Sequence, residues 1–123
     1  MKPLMQLTRI NSWEDLRAEF SRLFTHPHLG ELADIFKDYI DQDIHDGALV
    51  NCWYDLKDEP GFTLLDLGDY IEYSVALLCN YNNDWMNFAP GGAPPMLDHV
   101  SVLKMVAEVA GINWYYQDMN GEE

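Results

Sequence analysis

The chain has 123 residues, 48% of them hydrophobic and 13% aromatic, with 7 basic against 21 acidic residues and a net charge of −14. That length builds one domain with a real core and not two, and the apolar and aromatic content excludes a disordered acidic segment. The charge balance excludes a basic footprint for nucleic acid or an anionic membrane surface. It favours a basic protein as partner, because such a field speeds association as well as strengthening it.

The imbalance is uneven. Residues 1–57 carry six basic and ten acidic groups, and residues 58–123 carry one and eleven. The two cysteines, Cys52 and Cys79, each lie in an apolar run and read as buried free thiols. No long apolar leader follows Met1-Lys2-Pro3, and no run reaches the ~18 apolar residues of a membrane span. The expectation is a cytoplasmic protein, one domain over residues 1–120 and a frayed tail at 121–123.

In chain order, residues 3–8 alternate weakly and predict a short first strand. Ser12 with Asp15 three residues on is a helix start. Trp13, Leu16, Phe20, Leu23 and Phe24 then recur at helical spacing, and His26-Pro27-His28 ends the helix. Gly30 precedes a second helix, roughly 31–44, stopping near Asp46-Gly47. Ala48 to Leu56 reads as a strand between Gly47 and Pro60-Gly61. Residues 62–81 fit either type, and the β-branched and aromatic content after Gly68 favours a strand. Asn80 to Pro95 reads as a loop. Asp98 and Gly111 bracket a helix of about 99–110, and Ile112, Trp114 and Tyr116 alternate as a last strand. The resulting expectation is an α/β (or α+β) domain, a small three- to four-stranded sheet covered by about three helices.

The second helix carries the most pointed pattern. Glu31, Asp34, Asp38 and Asp41 are spaced three, four and three apart. At helical periodicity they fall within roughly an 80° arc, apart from the arc of Leu32, Ile35, Phe36, Tyr39 and Ile40. Like charges at these spacings weaken a helix by about 0.2–0.5 kcal/mol per pair. The stripe is therefore either a solvated face or a surface that receives a basic partner. Tyr39 and the aromatic segment around Trp85 would seal the rim of such a contact, since Tyr and Trp are favoured interface anchors. Tyr81, Met86 and the asparagines at 80, 82, 83 and 87 would add contacts.

Other chemistry finds little support. Asp41 to Asp46 begins like a calcium loop, but the sixth position is Asp46 instead of glycine and the twelfth is Cys52 instead of glutamate. The four histidines, His26, His28, His45 and His99, form no HExxH pair, and there is no CxxC, no GxSxG and no phosphate-binding glycine loop. No cofactor, metal or catalytic residue is expected, and no enzyme.

Residues 9–40 resemble the first half of the barstar family of intracellular ribonuclease inhibitors. The likeness rests on Ile10-Asn11-Ser12-Trp13-Glu14-Asp15-Leu16 and on Pro27-His28-Leu29-Gly30-Glu31-Leu32-Ala33-Asp34-Ile35-Phe36-Lys37-Asp38-Tyr39, and again on Asp98 to Tyr116. The resemblance implies that Asp34 and Asp38 correspond to the two inhibitory aspartates that replace RNA phosphate in a nuclease active site. Roughly residues 60–90 have no family counterpart, and the family's GxNxDAL signature is incomplete. The expected function is an acidic inhibitor, an immunity protein or antitoxin that occludes a nuclease toxin or another basic nucleic-acid-binding complex. The alternative is a nucleic-acid mimic of the anti-restriction or anti-CRISPR type, whose charge would be spread along an extended surface.

Overall fold

Helices carry all the regular structure among the described residues. The computed structural model describes residues 3–43, 46–59, 61–88 and 97–112, with 85–88 described by backbone alone. Five helices follow in order: α1 (Trp13–Phe24), α2 (Glu31–Asp41), α3 (Asp46–Leu56), α4 (Gly68–Phe88) and α5 (His99–Ala110). Single 3-10 turns at Pro27–Leu29 and Leu64–Asp66 lead into α2 and α4.

The helices at either extreme begin and end where local chemistry says they should. The Ser12 hydroxyl accepts from the Asp15 N–H at 3.1 Å, and Asp15 accepts from the Asn11 N–H at 3.1 Å. Asp98 caps α5 by accepting from the Ser101 N–H and hydroxyl, at 3.2 and 2.6 Å. Gly111 ends α5 in the left-handed region at φ 71°. Leu16, Phe20, Leu23 and Phe24 of α1 are fully buried, each contributing about 1.5–3 kcal/mol by leaving water. Phe24 meets Phe36 of α2 edge-on at 5.8 Å. α1 packs against α2, α3 and α5, and α4 packs against α3 and α5.

The expected sheet is absent from the described residues, which overturns the α/β (or α+β) reading. Residues 48–56 are helical: Ala48, Leu49 and Cys52 are buried, with Trp53 and Leu56 packed beside them, at spacings of one, three and four. Asp46-Gly47, read as a stop, is the start of α3. The segment after Gly68 is likewise helix, since Ile71, Ser74, Val75, Leu78, Cys79 and Asn82 are buried at alternating spacings of three and one. Gly68 is the first residue of α4, where a helix tolerates it best. The loop expected from Asn80 continues α4 as far as Phe88, and its remainder at 89–95 lies outside the described residues, as does the tail at 121–123. Of the strand expected at 112–116 only Ile112 is described, and it is not in a strand. Residues 3–8 form no strand. Nearby, Ile10 makes one antiparallel bridge to Phe62.

That N-terminal segment is nonetheless tied down. Buried Glu19 accepts from the Thr8 N–H at 2.7 Å and pairs with Arg22. Arg22 in turn donates to the Gln6 carbonyl at 2.8 Å. The Leu4 N–H donates to the Val109 carbonyl at 2.8 Å. Pro3 lies so close to Gly111 that a Cβ there would fall 2.6 Å from the Pro3 nitrogen.

Candidate partner-binding surface

α2 starts without a side-chain cap, because Gly30 holds the N-cap position at φ 61°. Glu31 and Asp34 occupy its first turn, where negative charge complements the positive end of the helix dipole. Asp38 and Asp41 occupy its last turn, where the same dipole opposes them. The four carboxylates are exposed, while Phe36, Tyr39 and Ile40 turn inward.

Cations near the stripe are committed elsewhere or cover little of it. Arg17 pairs with Asp43 at 2.6 Å and Asp46 at 3.3 Å, pinning the α2–α3 connection. Asp43 itself has a left-handed conformation at φ 60°, one that aspartate tolerates better than most residues. Arg22 serves Glu19, and Arg9 donates to the Gly61 carbonyl. Lys37 reaches one turn forward to Asp41 at 2.9 Å, with both groups largely exposed. That hydrogen bond and the charge of Asp41 raise the Lys37 pKa, with a smaller contribution from Asp38. No ion pair joins Glu31, Asp34 or Asp38 to another described residue.

Alongside the last turn of α2 runs an open groove of about 710 Å³ between α2 and α4, lined by Ile35, Asp38, Tyr39, Asp41, Gln42, Tyr81 and Asn82. Tyr39 does not stand at the rim as a free contact. It is buried, its hydroxyl donates to the Asn82 side-chain oxygen at 2.6 Å, and its ring meets Tyr81 edge-on at 5.0 Å. Burial, then Tyr81 and Asp38, push its pKa up. Asn83, next along α4, donates to the Leu97 carbonyl at 3.1 Å and accepts from its N–H at 2.8 Å. These asparagines explain how α4 continues through a stretch that reads as a loop: their amides bond to α2 and to the start of α5.

The structure therefore brings Asp38, Asp41 and Tyr39 together around the groove, and leaves Glu31 and Asp34 further along the same helix. Trp85 lies on α4, and its side chain is outside the described residues. Tyr81 and Asn82 carried signals of composition in the sequence, but Gln42 and Ile35 carried none for this site.

Other chemistry is sparse here. Among the described residues no group of three or more His, Cys, Asp or Glu side chains could hold a metal, and no helix is long and apolar enough to cross a membrane. Burial pushes the Cys52 thiol up to about 12 and the Cys79 thiol up to about 11, which leaves neither poised as a nucleophile. Comparison with protein-family models, with curated proteins and with solved structures finds no match to this chain.

Proposed function

We propose that this chain is an acidic protein inhibitor that lays α2 on a basic partner, most simply the active site of a nuclease toxin that it neutralises. The observation that carries the reading is Asp38. It is exposed, opposed by the dipole of its own helix, and without an ion pair to any described residue. Such a charge costs stability in the free protein and gains it when a cation arrives. Asp34, one turn away on the same face, extends the target to a second basic group. Close pairs of this kind carry coupling energies of about 1.5–7 kcal/mol. The barstar-like spacing of Asp34 and Asp38 agrees with occlusion of a phosphate-binding site, although the sheet of that family is not found in the described residues.

The test is the double variant Asp34→Ala/Asp38→Ala. A nuclease captured from native extract by the unaltered protein should be inhibited by it, and inhibited orders of magnitude less by the double variant. Equal inhibition by both proteins rules out the reading. The same variant separates it from a nucleic-acid mimic. In a mimic, exposed acids outside α2 such as Asp58, Glu59 and Asp69 would share the contact, and removing two charges would change little.

A further inference from the structure

We infer that the outer face of α3 is a self-association surface, on which two copies of this chain pair antiparallel, helix against helix. The inference stands apart from the proposed inhibitor role. It starts from spacing: Asp46, Val50, Trp53, Tyr54 and Lys57 occupy positions i, i+4, i+7, i+8 and i+11, a single line down a helix. Lys57 lies just past the last residue of α3, and its N–H donates to the Trp53 carbonyl at 2.7 Å, so it keeps the helical register. The middle of the line is apolar and uncovered. Tyr54 is 67% exposed and Val50 40% exposed. With Trp53, Lys57 and Trp13 of α1 they line an open groove of about 370 Å³.

The two ends of the line identify the occupant. At the first turn Asp43 and Asp46 share Arg17, at 2.6 and 3.3 Å, which leaves one negative charge in excess. At the far end Lys57 has no ion pair to any described residue, in a chain with 21 acidic residues to 7 basic. Its ammonium rests over the Tyr54 ring, 5.3 Å from the centroid. Opposite charges thus stand about 16 Å apart along the helix axis, with apolar side chains between them. Such a face is complementary to its own reverse. Antiparallel pairing about a two-fold axis brings Lys57 of each copy to the Asp43–Asp46 end of the other, and Val50 of each against Trp53 of the other. Every contact is then made twice, whereas a parallel pairing sets like charges opposite. At about 0.15 M salt, charges more than about 8 Å apart are largely screened, so the groups in contact decide the pairing more than the net −14 does. One helix pair with its flanking tryptophans is a small interface, below about 1,200 Å², which makes the dimer weak and reversible.

Sedimentation equilibrium of the full chain, from about 10 µM to about 1 mM, covers the range of weak association. The mean mass should climb from 14.2 kDa towards twice that value. Tyr54→Ser and Lys57→Glu, both at exposed positions, should each raise the dissociation constant about tenfold or more, since each change counts twice across the two-fold. Their circular dichroism should match that of the unaltered protein. A carbodiimide, which joins an amine to a carboxylate in contact, supplies the orientation. In an equal mixture of isotope-labelled and unlabelled protein, mixed-isotope peptides should join Lys57 to Asp43 or Asp46. A mass that stays at 14.2 kDa throughout overturns the inference. So does a dimer that both variants form as readily as the unaltered chain, or one in which Lys57 is cross-linked between copies to other carboxylates instead.

Discussion

The Tyr39 hydroxyl donates to the Asn82 side-chain oxygen at 2.6 Å, across 43 residues of sequence and inside the protein. This bond joins α2 to α4 beside the groove. Tyr39→Phe keeps the ring and removes the donor, leaving a buried oxygen with one partner fewer. Losing one hydrogen bond of this kind costs about 0.5–1.5 kcal/mol. Urea unfolding should show the free energy of unfolding lowered by that amount, through a lower midpoint at unchanged slope. A midpoint equal to that of the unaltered protein would mean that water reaches Asn82.

Asp38 offers the opposite outcome. Removing a negative charge from the last turn of α2 should stabilise the isolated protein by about 0.3–1 kcal/mol. Asp38→Asn is thus expected to raise Tm slightly while weakening capture of the basic partner. A variant that lost both stability and binding would instead make Asp38 a structural residue.

Glu19 is 3% exposed and bridges the Thr8 N–H to Arg22. Glu19→Ala removes the acceptor of the Thr8 N–H and one partner of Arg22, loosening the hold of α1 on residues 6–8. Arg22 is half exposed and keeps its bond to the Gln6 carbonyl, so the main loss is the acceptor of the Thr8 N–H, about 1–3 kcal/mol. Hydrogen exchange at residues 4–10 should accelerate well beyond the change seen in α5, and uniform acceleration across the molecule would contradict the strap role.

Asp98 sets a pH dependence. Its hydrogen bonds from the Ser101 hydroxyl and backbone N–H hold its carboxyl below the ordinary aspartate value of 3.8. The folded pKa lies below the unfolded one, so the cap contributes in full above the unfolded value. That contribution is lost as pH falls through the depressed folded value. Tm measured against pH should show Asp98→Ala less stable than the unaltered chain near neutrality, with the gap closing below about pH 3.8. A gap constant down to about pH 2 would mean that the carboxylate charge plays no part.

The two thiols give a simple check on the core. With pKa values pushed to about 12 and 11 by burial, Cys52 and Cys79 should resist alkylation at about pH 8 in the native protein. Both should react once urea unfolds it. Rapid labelling of either thiol in the folded state would place it at the surface.

The helices at the two extremes were legible because their punctuation is local. Ser12 and Asp15 open α1, Asp98 opens α5, and Gly111 closes it within bonds spanning a few residues. α3 and α4 were not legible for a physical reason. Val50 and Tyr54 put apolar groups on the outer side of α3 as well, so its periodicity is blurred and its composition resembles a strand. α4 passes through Asn80, Asn82 and Asn83, poor helix formers, and the amides of Asn82 and Asn83 bond to Tyr39 and Leu97, distant in the chain. The site divides the same way. Spacing alone marked the face shared by Glu31, Asp34, Asp38 and Asp41, whereas nothing local could bring Tyr81 and Asn82 alongside Asp38.

Gly111 has its own consequence. With Pro3 against it and Leu4 bonded to Val109, stretches more than a hundred positions apart in the chain (residues 3–4 and 109–111) clasp each other like the two halves of a buckle. Fastening that buckle requires a long loop to close, an entropic cost that grows slowly with length but must be met before the clasp rewards it. Gly111→Ala should therefore loosen the start of the chain and the end of α5 together, although the two are remote in sequence.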